Sequence, residues 1–358
     1  TTEIYTLSLH DALPILTPAR IDLHTHTCFS EDREQFALAR GVTVTIPFHP
    51  TLTPCQAYDL ALERGMTHVT FTDHDTLAGG LDLLARHADP SRFIMGEEVT
   101  CFLDGACLHV GVFGLTEADH HHFHDGAASV DRERRCLRWN VPELLAYCRA
   151  RGLVAELKHP LWTRDQAPLA RTLRAALPLF SLFEGINGTR HRQLNELGAE
   201  LCRVIAPGAA FTGGSDSHTD NIGTTWTETV GETTEAVLAS LRRGDCRPCG
   251  DHGSHRRLDS DIRACVLSNA TGRAGHFAAL ADDYLHNMPL AAQDMLALAA
   301  SAGVAYATVS EFARQRLLAR EVAEAMRDEL AQARASAGSG PGEVGHGAPQ
   351  GGLVHRHL

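Results

Sequence analysis

Histidine and carboxylate residues recur in short clusters along this chain, and the first cluster is a His-x-His pair. His24 and His26 lie at the end of the apolar-then-polar run Ile21–Thr27. Side chains two residues apart on a β-strand point to the same face, so both imidazoles can share one metal ion at a strand end. Neutral imidazole is a common protein ligand for zinc and related ions. A single pair also arises by chance, so the clusters that follow decide its meaning.

Further His, Asp and Glu residues follow later apolar runs of the chain. Together with the first pair they form one set of possible ligands: His24, His26, Glu31 or Asp32, His74, Glu98, His109, His159, Asp216 and His218. This mixture of nitrogen and oxygen ligands suits zinc, manganese or iron better than a thiolate site does. Nine ligands exceed what one ion uses. A carboxylate that bridges two ions, with a third ion nearby, would use them, and Glu98 is the predicted bridge.

The segments that position these clusters alternate between strands and helices. The run His68–Thr72 is β-branched and aromatic, which indicates a buried strand. Thr53 and Pro54 indicate the start of a helix that ends at Gly65. The order strand, polar residues, helix recurs about seven times, which is typical of a parallel β/α barrel. In such barrels the reactive residues lie at the C-terminal ends of the strands, where these clusters fall.

Changes in composition divide the chain into four parts. We predict a metal-binding β/α barrel over residues 19–255 and a helical extension over residues 256–335, which is rich in Ala and Leu with helical periodicity. Residues 1–18 are interpreted as a non-native or disordered leader. Residues 336–358 are rich in Gly, Pro and Ala and are predicted to form a disordered tail.

Composition and charge restrict the possible partners. With 44% hydrophobic residues among 358, the chain can form a sizeable core. The net charge of −12 argues against broad nucleic-acid binding, whereas metal ions would supply the positive charge that a small anionic substrate needs. The ten cysteines follow no regular framework, so we interpret them as reduced thiols of a cytoplasmic protein. No apolar run is long enough to span a membrane.

Two other groups of possible ligands receive a simpler interpretation. Cys246 and Cys249, followed by His252 and His255, are spaced like a small zinc site, but a turn with two incidental thiols is favoured. The stretch 116–130 contains four histidines between residues 120 and 124 and is predicted to be an exposed loop or short helix. For these histidines a solvated loop is favoured over an ion site.

Taken together, the clusters resemble the motifs of the PHP (polymerase and histidinol phosphatase) family. The matching segments occur in the family's order and are Asp22–His26, Thr72–Thr76, Gly96–Glu98, His109, His159–Pro160 and Gly214–His218. The resemblance implies an α/β fold, a distorted (β/α)7 TIM-like barrel, here followed by the C-terminal helical extension. It also implies a centre of two or three divalent metal ions (manganese, zinc or iron) at which phosphate esters are hydrolysed. Asp32 is preferred over Glu31 as a ligand because related patterns have the order Ser-x-Asp.

Carried over by position, the resemblance distributes the ligands among the ions. One ion is held or bridged by His24, His26, Glu98 and Asp216, an outer ion by His74 and His218, and another is completed by His109 and His159. The implied nucleophile is a hydroxide that bridges two ions, so no side-chain nucleophile is needed.

Four further residues are predicted to act on the substrate or the ligands. Asp73 and Asp75 flank His74 and are the predicted catalytic residues, which either orient a ligand imidazole or pass a proton to the leaving group. For Asp75, capping of the next helix is an equally weighted alternative. Arg190 and Asn187 follow a predicted strand and are the predicted phosphate-binding residues.

The predicted function is hydrolysis of a small-molecule phosphate monoester, namely a nucleotide, a nucleoside bisphosphate or a sugar phosphate. The expected partner is therefore a small phosphorylated substrate, without duplex nucleic acid or a membrane. Histidinol-phosphate phosphatase is an alternative within the same family. An amidohydrolase-type barrel usually has a bridging carboxylated lysine, and Lys158, the one lysine of the barrel region, lies beside the predicted ligand His159. A non-catalytic metal-binding barrel is the third alternative.

Overall fold

A computed structural model describes most of the chain, with gaps. The described residues are 17–30, 33–37, 43–47, 49–124, 130–131, 136–162, 169–270 and 290–338. The predicted ligand Asp32 lies outside these residues, as do most of the predicted leader and tail.

The described residues form strands and helices in the following order. The strands are β1 (Pro18–Asp22), β2 (Arg33–Ala37), β3 (Thr43–Pro47), β4 (His68–Thr70), β5 (Phe93–Ile94), β6 (Gly96–Leu103), β7 (Ala106–Phe113), β8 (Val130–Asp131), β9 (Cys136–Asn140), β10 (Val154–Leu157), β11 (Leu182–Asn187), β12 (Ala210–Gly214), β13 (Thr225–Val230) and β14 (Arg247–Gly250). The α-helices are α1 (Pro54–Glu63), α2 (Ala78–Arg86), α3 (Glu117–Phe123), α4 (Val141–Arg151), α5 (Leu169–Ala176), α6 (Arg192–Ile205), α7 (Thr234–Arg243), α8 (His255–Ala270), α9 (Leu290–Ala325) and α10 (Arg327–Gly338).

The predicted α/β class is confirmed, but the strands pair in two main sheets. One sheet has the order β14-β13-β1-β4-β5, the other β12-β11-β10-β7-β6-β9-β8, and β2 and β3 form a ribbon. The pairs β1·β4, β4·β5, β10·β11 and β11·β12 are parallel, whereas β6·β7, β7·β10 and β1·β13 are antiparallel. Among the described residues no closed barrel forms, because the hairpin β6–β7 turns at Asp104 and Gly105 and breaks the parallel repeat.

Two isolated bridges connect the sheets at the C-terminal ends of the parallel strands. Thr25, after β1, pairs with Ser217, after β12, and His74, after β4, pairs with Glu98 in β6. The backbone N–H of Thr72 also donates to the carbonyl of Thr25 at 2.8 Å. These links bring the polar ends of strands from both sheets to the same place.

Local sequence signals fix the helix ends as predicted. Thr53 caps α1 in a reciprocal capping box with Gln56, and Pro54 occupies the first turn. Asn140 forms the same motif with Glu143 at the start of α4. These ends hold the helices that cover the sheets, and the largest hydrophobic cluster packs α4, α5 and α6 against the seven-stranded sheet.

The region predicted as a helical extension contains α8, α9 and α10 among its described residues. Helix α9 packs on α8 and α6, and the side chain of Gln315 in α9 accepts a hydrogen bond from the backbone N–H of His191 at 2.7 Å. None of the helices in the described part of the chain combines the length and apolar character needed to cross a membrane.

Candidate metal centre

Eight of the nine predicted ligands lie within the described residues, and the structure brings all eight together. They form four overlapping groups whose ligand atoms lie within 4.8 Å of one another: His26, His74 and His218; His24, His26 and Asp216; His24, Glu98 and His159; His74, Glu98 and His109. Because the groups share members, the side chains surround one common space and not separate cavities. Their assignment to particular ions stays a prediction.

Glu98 lies at the middle of this cluster. Its carboxylate oxygens lie 3.1 Å from Nε2 of both His24 and His159, and 2.8 Å from Nδ1 of His109. Its side chain has no exposed surface. One carboxylate within reach of this many ring nitrogens has the geometry predicted for a ligand that bridges two ions.

Asp216 provides a second carboxylate beside the first histidine pair. Its Oδ1 lies 3.4 Å from Nε2 of both His24 and His26. The backbone of Asp216 has a φ of +52°, and that of His159 has a φ of +25°, both in the left-handed region. Non-glycine residues seldom adopt such angles unless surrounding contacts enforce them, and such strain concentrates at functional sites.

The chain reaches this arrangement because the segments that follow β1 and β12 approach each other closely. The backbone N–H of Asp216 donates to the carbonyl of His24 at 2.7 Å, and that of His26 donates to the carbonyl of Ser217 at 3.0 Å. A Cβ atom at Gly214 would lie 2.3 Å from Cβ of His24. Glycine at this position is therefore a steric requirement for placing the His24 ring.

Glu184 is a residue of the centre that the sequence analysis missed. Its Oε1 lies 2.8 Å from Nδ1 of His24, and its Oε2 accepts from the backbone N–H of His159 at 2.8 Å and from the amide of Asn187 at 2.9 Å. When Nδ1 of His24 donates to this carboxylate, Nε2 is left as the ligand atom. The available signal was a carboxylate within the apolar run Phe180–Ile186, since an unpaired charge is rarely buried.

Lys158 lies behind the centre in a buried ion pair. Its Nζ donates to the carbonyl of Leu23 at 2.8 Å and to Oε2 of Glu156 at 3.1 Å. Both side chains of the pair are fully buried, and the hydroxyl of Thr212 donates to the other oxygen of Glu156. The one lysine in the sequence is thus held by a carbonyl and a carboxylate.

The two carboxylates of the centre favour their ionised forms. Burial alone would raise the pKa of Glu98, but the neighbouring His24, His109 and His74 hold that pKa well below its usual range. Burial acts in the same way on Asp216, and His24 and His26 hold its pKa well below the usual range. Anionic carboxylates are the form that binds metal.

The imidazoles differ in their protonation. Burial and the neighbouring His218 lower the pKa of His26 to about 3, and burial lowers that of His159 to about 4. Burial would also lower the pKa of His24, but the charges of Glu98, Asp216 and Glu184 raise it well above its ordinary value. Neutral His26 and His159 therefore present free lone pairs, as metal ligation requires.

The donor atoms of the centre fit divalent ions better than a network of hydrogen bonds. Nε2 of His26 is buried without a hydrogen-bond partner among the described residues, although oxygens of Glu98 and Asp216 lie 3.4 Å away. A buried polar atom without a partner costs about 1–3 kcal/mol, and coordination of an ion would satisfy it. Imidazole nitrogens and carboxylate oxygens in this number suit zinc, manganese or iron.

Asp73 and Asp75, the predicted catalytic residues, are bonded to the backbone and side chains around the centre. Asp73 accepts from the backbone N–H of Thr27 at 2.6 Å and from its hydroxyl at 2.7 Å, and burial raises the pKa of Asp73 to about 7. Asp75 accepts from the backbone N–H of Thr100 at 2.7 Å. The N-cap of α2 is Leu77, so the alternative in which Asp75 caps this helix is wrong.

Arg190 and Asn187 lie beside Asp216. The Asn187 amide donates to Oδ2 of Asp216 at 3.1 Å and is fully buried. Nη2 of Arg190 lies 3.8 Å from the same oxygen, Nη1 lies 3.6 Å from Glu311 in α9, and the guanidinium lies 5.8 Å from the Trp162 ring centre. The Arg190 side chain is 14% exposed, so it lies at the edge of the centre.

The two other ligand groups of the sequence analysis differ in outcome. Cys246 and Cys249 belong to none of the ligand groups in the described part of the chain, but the predicted turn is wrong, because Cys249 lies in β14 and pairs with Trp226 of β13. In the stretch 116–130 the short-helix alternative is confirmed by α3, and His121 and His122 are exposed. The solvated interpretation is wrong for His120 and His124, which lie against the buried carboxylate of Glu97. The alternation of β6 places Glu97 and Glu98 on opposite faces of the strand.

Comparisons with known proteins give matches only among solved structures. No family model and no curated protein matches the chain. A two-domain protein from Bacteroides vulgatus ATCC 8482 containing a predicted PHP-like metal-dependent phosphoesterase is 14% identical, with a TM-score of 0.40, covering 69% of this chain and 70% of that one. A protein from Bifidobacterium adolescentis ATCC 15703, named as a metal-dependent phosphoesterase, is 16% identical, with a TM-score of 0.38, covering 63% and 96%.

A third similar structure is named as an amidohydrolase. It comes from Chromobacterium violaceum, holds bound sulfate and no metal, and is 17% identical with a TM-score of 0.38, covering 57% of this chain and 89% of that one. The similar structures thus include PHP-like metal-dependent phosphoesterases, the kind of protein that the sequence resembles. At these TM-scores they carry no argument about the reaction of this chain.

Proposed function

We propose that this chain is a PHP-type metal-dependent phosphohydrolase that cleaves a small-molecule phosphate monoester. The observation that carries the proposal is the convergence of five imidazoles within 3.4 Å of the buried Glu98 carboxylate: His24, His26, His74, His109 and His159. On this proposal the two sheets, joined by the bridges at Thr25 and His74, correspond to a distorted (β/α)7 TIM-like barrel.

The eight ligands described above would hold two or three divalent ions, with Asp32 as a further ligand. Bound manganese, zinc or iron would lower the pKa of water toward neutrality and offset the charge of the phosphoryl oxygens. The protein's own contribution is to fix the ligand positions before the substrate arrives. Glu184 orients His24, and Asn187 orients Asp216.

Arg190 is the proposed phosphate-binding residue. Its Nε is buried without a hydrogen-bond partner among the described residues, while its Nη atoms point toward Asp216 and Glu311. The adjacent cleft is lined by His159, Trp162 and Arg190. A guanidinium binds phosphate oxygens in a bidentate manner, so Arg190 would orient the phosphoryl group toward the metal ligands.

The roles of Asp73 and Asp75 remain proposals. Asp73 accepts from the backbone N–H and the hydroxyl of Thr27, the residue after His26, and would hold that ligand in position. Asp75 accepts from the backbone N–H of Thr100 in β6 and would orient the segment that carries the ligand His74.

The substrate class and the cellular setting belong to the same proposal. A nucleotide, a nucleoside bisphosphate or a sugar phosphate would present a phosphate to Arg190 and the ions, without duplex nucleic acid or a membrane. We propose a cytoplasmic setting because the ten cysteines follow no regular framework, as is typical of reduced thiols. The amine of Lys158 is bonded to Glu156 and Leu23, which argues against the carboxylated bridging lysine of the amidohydrolase alternative.

Hydrolysis of an aryl phosphate tests the proposed function. The metal-depleted full chain should release nitrophenol from p-nitrophenyl phosphate only after manganese is added. His24→Gln should lower that rate by at least about 100-fold, because it removes a ligand at the middle of the centre. His121→Ala, at an exposed histidine outside the centre, is the matched control and should keep the rate. No manganese-dependent release, or equal release by His24→Gln, would contradict the proposal.

A further inference from the structure

A second group of histidines and a carboxylate lies on the other face of β6. Glu97 precedes the bridging Glu98, and successive strand residues point to opposite faces. The Glu97 side chain is completely buried, although it lies outside the centre. His120 and His124 are one helical turn apart, at α3 and its C-cap, so both rings lie on the side of the helix that faces Glu97.

The three side chains have the arrangement of a metal site. Nδ1 of His120 lies 2.9 Å from one oxygen of Glu97, and Nε2 of His124 lies 2.6 Å from the other. The ring centres are 4.4 Å apart, and three ligand atoms lie within 4.8 Å of one another. The side chains of His120 and His124 remain 19% and 14% exposed, so solvent can reach the space between them.

The simpler explanation is a pair of hydrogen bonds from imidazoles to a carboxylate. Within the described residues no lysine or arginine pairs with Glu97, so the two rings would have to compensate a fully buried charge. A divalent ion provides this compensation without requiring either imidazole to be protonated. Two histidines one turn apart on a helix, with a carboxylate from another element, are typical zinc ligands, and water can fill a fourth position.

We infer that Glu97, His120 and His124 bind a transition-metal ion of the zinc class at a site separate from the proposed catalytic centre. The ion fastens α3 to strand β6 from outside, directly behind Glu98. The inference does not depend on the proposed hydrolysis, because its ligands and its test involve metal binding alone.

Zinc counting on matched variants tests the site. The metal-depleted full chain is loaded with zinc, dialysed and analysed for bound metal. His120→Ala and His124→Ala should each retain one zinc ion per chain fewer than the parent, whereas His121→Ala should retain the parent number. His121 is the appropriate control because it belongs to the same helix and is exposed. Equal zinc content in all four proteins would overturn the inference.

A measurement on the unaltered chain covers the case in which a variant fails to fold. Diethyl pyrocarbonate modifies accessible imidazoles, and fragment mass spectrometry locates each modified histidine. Zinc should protect His120 and His124 from modification but leave His121 reactive, and magnesium, which prefers oxygen ligands, should protect none of the three. Modification of His120 and His124 at the same rate with and without zinc would overturn the inference.

Discussion

The two faces of strand β6 carry the same kinds of groups in different surroundings. On the inner face, Glu98 is surrounded by imidazoles that follow several strands of both sheets. On the outer face, Glu97 meets two imidazoles from a single helical segment. A one-residue step along the strand therefore separates a centre with several shared ligands from a site with three ligands.

The two clusters depend on different parts of the fold. The inner cluster requires the whole fold, because His24 and Asp216 meet only when the segments that follow β1 and β12, from different sheets, come together. The outer cluster requires only the contact between α3 and β6. We therefore expect that loss of a ligand from the inner cluster strongly lowers the rate of hydrolysis. Loss of a ligand from the outer cluster should lower the metal content at that site alone.

The largest effect should come from the two adjacent carboxylates. Glu98→Gln should lower manganese-dependent hydrolysis by more than about 1,000-fold, because it removes the negative charge shared by five imidazoles. Glu97→Gln should remove one zinc ion while the ions of the centre remain bound. Metal analysis and rate measurements on both variants test this difference. A Glu98→Gln variant that kept its metal ions or its hydrolysis rate would contradict it.

The next effect concerns the ion pair that supports the inner face. Lys158→Met should lower the free energy of unfolding by about 3–5 kcal/mol, because Glu156 would keep a buried charge without its partner. Denaturant unfolding measures this loss, and adding Glu156→Leu should restore part of it.

An exposed ion pair provides the control for that measurement. Arg171 is 76% exposed in its pair with Asp104, so Arg171→Met should change the free energy of unfolding by about 0–1 kcal/mol. Equal losses for Arg171→Met and Lys158→Met would show that burial of the Lys158 pair does not matter for stability.

Apart from the controls, the smallest effect should come from Glu184, the residue that orients His24. Glu184→Gln keeps the shape of the side chain but removes its charge, and loss of such a supporting contact costs about 10- to 100-fold in metal affinity or activity. Glu196→Gln is the matched control, because Glu196 is exposed on α6. Titration of the hydrolysis rate with manganese measures the metal affinity and the activity of each variant. An unchanged titration for Glu184→Gln would contradict the proposed role of Glu184.

Much of the inner cluster was predictable because its ligands follow apolar runs. His24, His74 and Asp216 each come directly after a run that the sequence marks as a strand, and strand ends are where polar side chains can converge. The helix starts at Thr53 and Asn140 were predictable for a local reason, since capping requires only nearby residues.

The strand neighbours, the role of Glu184 and the outer cluster were not predictable, because they depend on pairing between segments that are distant in the sequence. The sequence contains the β6–β7 hairpin turn, but local signals do not show which strands of the two sheets become neighbours. Glu184 lies within a strand, so its role appeared only when β11 lay beside His24. The outer cluster needed the position of α3 relative to β6, which no local signal near His120 provides.

Anomalous diffraction from crystals of the full chain loaded with manganese can show directly whether the inner cluster binds several metal ions. We expect at least two anomalous peaks in the space enclosed by His24, Glu98, His159 and Asp216, each within coordination distance of imidazole or carboxylate atoms. A loaded crystal with no peak in that space, or with peaks only at other surfaces of the protein, would contradict it.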